Sequence, residues 1–353
     1  MALRIDPRPT AGARPKDINL PGPKEAGFAV PNQGKEPEKA RVIGEDEGIV
    51  VALINNMPDA ALEATERQFG FLLDAASGDT PITLRYSTLP AVPRIGAAAR
   101  QIEESYWDLE ELKRSHVDAI IVTGAEPKTA TLPEEPYWAQ MVDVLHWARN
   151  HTTSSLWSCL AAHAAVLELD GIARQRLPLK CCGVFEQEVD GGNILGEGFG
   201  AQIHTPHSRW NDLPISRLRE RGYEMLSQSA EIGADIFVKR ERSLLVFCQG
   251  HPEYEEGTLL REFQRDVSRY LNGKQENYPS LPKGTFSEEA IEVFSEFEEF
   301  ARQNRMNRTL ARFPGRRLAD RLAKPWGDSA VRLYRNWIRI LRDRGGPAKS
   351  GVS

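Results

Sequence analysis

Short apolar, β-prone runs alternate with longer amphipathic stretches from Gly48 onward, and a chain built this way has few means of burying itself. Strands are predicted at Ile49–Asn55, Ile82–Tyr86, Ala119–Thr123, Ser154–Ser158, Val184–Val189, Asp235–Lys239 and Leu244–Cys248, and helices at Ala60–Ala76, Pro136–Asn150, Leu160–Leu169 and Glu256–Leu271. Strand–helix–strand repetition of this kind predicts an α/β fold, a mostly parallel sheet flanked by helices. In such sheets ligands lie beyond the carboxyl ends of the strands, so function is expected just after them.

What surrounds this unit differs in composition. The first 40 residues hold seven prolines and four glycines without helical or strand periodicity, which predicts a mobile arm over 1–40 ahead of an α/β domain over 41–272. Residues 301–353 carry 14 Lys and Arg against 3 Asp and Glu, a net of +11; the whole chain is at −5, which leaves −16 on residues 1–300. A basic tail invites a nucleic-acid reading. Val331, Tyr334, Trp337, Ile338 and Leu341 recur at helical spacing, however, which favours an amphipathic helix packed on an acidic body. Residues 286–300 form a second, acidic amphipathic stretch, and the two are expected to pack as a pair within or between subunits of a helical C-terminal extension over 273–353. No apolar run approaches the roughly 18 residues of a membrane span, and the N-terminus lacks a signal-peptide core, so a cytoplasmic protein with four free cysteines is expected. Those cysteines, at 159, 181, 182 and 248, form no C-x-x-C motif, which rules out a zinc ribbon or a thioredoxin motif.

The segment SSLWSCLAAHAAVLELDGI carries the strongest chemical signal. A β-type run ends at Ser158 and helix formers begin at Leu160, which sets Cys159 on a strand-to-helix turn, the geometry of a nucleophile elbow. There the helix dipole and free N–H groups favour a thiolate and can bind a developing oxyanion. A free cysteine is more often a small buried apolar residue, and Cys159 alone does not decide the matter. A second segment does. In LLVFCQGHPEYEEGTL a strand runs into Gly250, Pro252 disfavours helix at His251, and an extended backbone puts His251 and Glu253 on one face. A histidine oriented by a carboxylate, near a strand-end cysteine, is the Cys–His–acid arrangement of covalent catalysis. Thiolate attack on a thioester transfers an acyl group; attack on an amide releases ammonia. Amidotransferase elbows resemble G-x-C-x-G, whereas Trp157, Ser158 and Ala161 surround the cysteine here.

With ALINNMPDAALEATERQF, VDAIIVTGAEP, EPYWAQMVDVLHWARNHTTSSLWSCLAAHAAVL, GVFE, TPHSRWNDLP, GHPEYEEGTLLREFQRDV and Asn336–Trp337, the chain resembles the homoserine O-succinyltransferase and O-acetyltransferase family of methionine biosynthesis. The resemblance runs from about 48 to 272 with a fragment near the end. It implies a class I glutamine amidotransferase-like fold, a homodimer, no metal, and acyl-CoA as co-substrate with no bound cofactor. It implies ping-pong chemistry in which Cys159 takes the acyl group and His251 with Glu253 activates the acceptor hydroxyl. It also places substrate binding on Lys180, Ser208 and Arg265, and acyl specificity on Lys128.

The departures are local. Asp59 and Ala60 stand where the family commonly has lysines, Cys181–Cys182 replaces Leu-Ser, Lys128 stands where Gly or Glu is usual, and His163 replaces a glutamine. His163 reads as a helix-packing or pocket residue. Succinyl is expected over acetyl as donor, because a lysine at 128 would attract the free carboxylate if its side chain points inward. Alternatives are an acyltransferase on another hydroxy amino acid such as serine, a glutamine amidotransferase-like hydrolase, and a non-catalytic protein that binds nucleic acid through its basic terminus.

Overall fold

The computed structural model describes residues 3–8, 48–318, 322 and 325–345. Ten strands form one sheet: β1 (Leu3–Ile5), β2 (Ile49–Ile54), β3 (Ile82–Ser87), β4 (Ala119–Val122), β5 (Ser154–Ser158), β6 (Gln175–Val189), β7 (Gln202–Asp212), β8 (Glu224–Ser229), β9 (Gly233–Arg240) and β10 (Leu244–Cys248). Their spatial order is β1-β3-β2-β4-β5-β10-β9-β8-β6-β7. Strands β1 through β5 and β10 run parallel, and β10-β9-β8-β6-β7 continue the sheet in antiparallel fashion.

Helices α1 (Leu62–Ser77), α2 (Gly96–Ser105), α3 (Leu109–Arg114), α4 (Trp138–His151), α5 (Leu160–Asp170), α6 (Ile215–Glu220), α7 (Thr258–Leu271), α8 (Glu288–Gln303), α9 (Gly315–Leu318) and α10 (Gly327–Gly345) connect and cover it. The parallel strands are apolar on both faces because each face meets its own helical layer. Side chains alternate accordingly. Val51, Leu53, Ile121, Leu156 and Val246 join the cluster capped by α1 and α10. Ala52, Ile54, Ile120, Trp157 and Phe247 join the cluster under α4 and α5. Chain order reverses between β2 and β4, and their carboxyl ends form one rim of the sheet. Asn56 knits that rim: its backbone N–H donates to Thr123 Oγ1 at 2.8 Å, and its Oδ1 accepts from the Leu89 N–H at 3.0 Å.

Three expectations change. The N-terminal arm is not free at its start: Leu3–Ile5 extends the sheet beside β3, Arg85 pairs with Asp6 at 2.8 Å, and the Trp107 indole donates to the Asp6 carbonyl at 3.1 Å. Residues 9–47 of that arm lie outside the described residues. Within the chain, the C-terminal basic helix does not pair with the acidic one. Helix α10 buries Leu333, Tyr334, Trp337, Ile338 and Leu341 in the sheet's own core, while Phe294 and Phe297 of α8 join α7 in a separate aromatic cluster. Residues 326–341 are thus part of the α/β core rather than an extension of it, and the Trp337 indole donates to Ser154 Oγ at 2.9 Å. The basic residues Arg332, Arg335 and Arg342 occupy the exposed side of α10, as amphipathic packing requires. Among the described residues no helix is long and apolar enough to cross a membrane.

Candidate active site

Cys159 stands between β5 and α5 with φ 50° and ψ −111°, the one non-glycine residue at positive φ among the described residues. Such a backbone is costly for an L-residue and persists only where its surroundings fix it. Here the Cys159 N–H donates to the Cys248 carbonyl of β10 at 2.7 Å, and its own carbonyl accepts the first α5 bond from the His163 N–H at 3.2 Å. No side chain caps the start of α5, so its first N–H groups are left for a ligand. Gly124, ending the turn after β4, lies against this elbow: a Cβ there would sit 2.8 Å from Leu160 Cβ.

The His251 imidazole lies within electrostatic reach of the Cys159 sulfur. Its Nδ1 meets Glu253 Oε1 at 2.8 Å, and both side chains are buried. Burial opposes charge on His251, but the Glu253 carboxylate and the sulfur of Cys159 outweigh it and hold the imidazole well above its ordinary pKa of 6.5. The ring stacks on Tyr254 with centroids 4.2 Å apart. The loop is anchored from below by Asp235, whose Oδ1 accepts the Gly250 N–H at 3.1 Å, and by the Pro206 carbonyl, which accepts the His251 N–H at 2.8 Å. A Cβ on Gly250 would lie within 2.8 Å of Thr205, Asp235 and His207, so glycine is required there. From the C-terminal segment, the Trp326 indole donates to the Tyr254 carbonyl at 3.0 Å.

Burial pushes the thiols of Cys181 and Cys182 up to about 11 and Cys248 well above 9, which keeps all three protonated at neutral pH. Cys159 is the thiol placed for chemistry. His163 is a packing residue: buried, with Nε2 2.9 Å from Gln249 Oε1, its pKa driven to about 3 chiefly by burial.

Lys180, Ser208 and Arg265 come together, held by two carboxylates that the sequence reading did not name. Lys180 Nζ lies 2.7 Å from Asp266 Oδ2, the Ser208 hydroxyl donates to Glu262, and Arg265 Nε lies 3.3 Å from Asp266 Oδ1. Tyr254 joins them, its hydroxyl donating to Glu262 Oε1 at 2.9 Å, so this polar cluster touches the residue stacked on His251. Glu262 and Asp266 are four apart on α7, one turn of one face, which is the signal that would have found them. Lys128 behaves differently. Its backbone N–H donates to Glu135 Oε1 at 2.7 Å, but its side chain is exposed, which does not meet the condition of an inward-pointing ammonium. Among the described residues no three His, Cys, Asp or Glu side chains gather as a metal site would.

A family model for homoserine O-succinyltransferase matches residues 38–344. The homoserine O-succinyltransferase of Rhodopseudomonas palustris is 43% identical over 325 residues, covering 91% of this chain and 96% of that protein. That of Bradyrhizobium japonicum is 44% identical over 296 residues, covering 84% and 90%. Among solved structures, a glutamine amidotransferase from Thermotoga maritima aligns with a TM-score of 0.46 at 13% identity, over 85% of this chain and 99% of that one. By the match of its sequence to the family model and to these relatives over most of their length, this chain belongs to the homoserine O-succinyltransferase family.

Proposed function

We propose that this protein transfers the succinyl group of succinyl-CoA to the hydroxyl of homoserine through a thioester on Cys159. The observation that carries the reading is the elbow cysteine at positive φ, within electrostatic reach of a histidine whose Nδ1 a buried glutamate holds at 2.8 Å. In the first half-reaction the Cys159 thiolate attacks the thioester carbonyl, the bond to CoA sulfur breaks, and the His251 imidazolium gives its proton to the departing thiolate. The uncapped N–H groups at the start of α5 face the oxyanion that forms in between. In the second half-reaction neutral His251 takes the proton of the homoserine hydroxyl as that oxygen attacks the acyl carbon, and the Cys159–acyl bond breaks to restore the thiolate. Glu253 holds the imidazole in register through both halves and stabilises its charged form.

The carboxylates of Glu262 and Asp266, with Arg265 between them, offer charges of both signs to an amino acid's ammonium and carboxylate. Ser208 and Lys180 fix those carboxylates from β7 and β6, which is how the residues implied by the resemblance act together. Initial-rate kinetics test the reading: parallel double-reciprocal lines at varied succinyl-CoA and homoserine are expected. Lines that intersect would show direct transfer in a ternary complex and refute the thioester.

A further inference from the structure

Tyr254 stands between the two parts of the site and moves no proton in either half-reaction. It follows Glu253 directly and is buried in the turn ahead of α7. Its ring lies face to face with the His251 imidazole, centroids 4.2 Å apart and planes 13° from parallel. Its hydroxyl donates to Glu262 Oε1 at 2.9 Å, while the Ser208 hydroxyl donates to Oε2 of the same carboxylate. Among the described residues, Tyr254 alone makes both a ring contact with His251 and a hydrogen bond to Glu262. Its backbone is held as well: the N–H donates to the His251 carbonyl at 3.1 Å, and the carbonyl accepts the buried Trp326 indole at 3.0 Å. Burial and the neighbouring carboxylates push the phenol well above 10, so it remains a donor at neutral pH.

The two contacts do different physical work. An imidazole held through Nδ1 alone is free to rock about that bond, and a ring packed flat on its face removes the freedom. The face of an aromatic ring is negative, so the same contact favours imidazolium over imidazole. An aliphatic side chain in its place would exclude water without that attraction and weaken the charged form. At the other end, Glu262 has one hydroxyl on each carboxylate oxygen. Loss of either frees it to pair with Lys180 or Arg265, each 3.9 Å from Oε2. Homoserine carries its ammonium and hydroxyl roughly 5 Å apart when extended. A base for one end and a carboxylate for the other therefore serve it only at a fixed separation.

We propose that Tyr254 is a positioning residue for both half-reactions, its ring setting the His251 imidazole and its hydroxyl setting the Glu262 carboxylate for the acceptor's ammonium. This rests on the acyl-transfer reading above and deepens it to the alignment of acceptor and base. The two ends of the side chain separate by step. Acylation of Cys159 uses the ring only, because no acceptor is present, whereas transfer to homoserine uses ring and hydroxyl.

The experiment measures CoA release in a single turnover with succinyl-CoA alone, then kcat and KM for homoserine, in full-length wild type, Tyr254→Phe, Tyr254→Leu and Tyr254→Met. Tyr254→Phe keeps the ring and removes the hydroxyl. Acylation should stay within about twofold of wild type and KM for homoserine should rise about 10-fold, the lower end for a hydrogen bond to a charged group. Tyr254→Leu and Tyr254→Met fill the space without an aromatic face and should also slow acylation by about 10-fold. Unchanged acylation in Tyr254→Phe shows that it folds, and two apolar variants keep the ring testable if one of them does not. Acylation slowed equally in all three variants would make Tyr254 a structural residue and overturn the assignment. So would an unchanged KM in Tyr254→Phe, or wild-type acylation in Tyr254→Leu or Tyr254→Met. Failure of the thioester looks different: a wild type that releases no CoA until homoserine is added refutes it. The positioning role is then read in the steady state, where Tyr254→Phe should raise KM alone and Tyr254→Leu should lower kcat as well.

Discussion

Replacing Cys159 by glycine should make the protein more stable than replacing it by alanine, the reverse of the usual order at a helix. At φ 50° and ψ −111° a Cβ crowds the backbone, and residues held there carry about 1–3 kcal/mol of strain. Alanine keeps that Cβ and glycine removes it, so the pair isolates the strain from the chemistry of the sulfur. Against the relief stands the entropy of a glycine in the unfolded chain, about 0.5–1 kcal/mol. The net expectation is a gain of roughly 1 kcal/mol for Cys159→Gly over Cys159→Ala. Ala164→Gly, in the buried interior of the same helix, supplies the contrast and should lose about 1–2 kcal/mol through propensity and a lost methyl contact. Urea unfolding with the midpoint and slope fitted for each variant reads all three. If Cys159→Gly is no more stable than Cys159→Ala, the cysteine is not held at positive φ and the elbow argument fails.

Gly124→Ala should fold but lose about 100-fold in kcat, because its Cβ would meet Leu160 Cβ at 2.8 Å and displace the start of α5; unchanged turnover would show that the elbow tolerates the shift. The His251 pKa is raised on folding, so its protonation contributes stability that is fully present below the unfolded value near 6.5 and is lost as pH climbs through the folded one. The melting-temperature advantage of wild type over His251→Asn should therefore be largest at low pH and narrow on the alkaline side; an advantage that grows with pH would contradict the charged pair. Trp337→Phe should cost about 1 kcal/mol for the bond to Ser154 Oγ, and Trp337→Ala about 3–5 kcal/mol for the cavity, by chemical denaturation. Small effects from both would mean that α10 does not belong to the core.

The parallel half of the sheet was legible because burial on both faces leaves continuous apolar runs such as IVVALI, AIIV and LLVFC. Strand β7 was not: QIHTPHSRWND is half polar and holds a proline, and its strand character comes from pairing with β6 rather than from its own pattern. Strand β1 was missed for the same reason, since Leu3–Ile5 takes its conformation from β3. At the site, Cys159, His251 and Glu253 could be named because each sits at or just past a strand end beside a turn signal, and the fold sets His251 against Glu253 at 2.8 Å. Lys180 and Arg265 are distant in sequence and meet only because α7 lies across β6.

The central claim is that Cys159 carries the acyl group, and intact-mass spectrometry of the protein mixed with succinyl-CoA in the absence of homoserine tests it most directly. The account predicts a single succinyl adduct on the wild type that maps to the Cys159 peptide, disappears when homoserine is added with O-succinylhomoserine released, and does not form in Cys159→Ala. An adduct that persists in Cys159→Ala, or turnover by a wild type that never carries one, would contradict it.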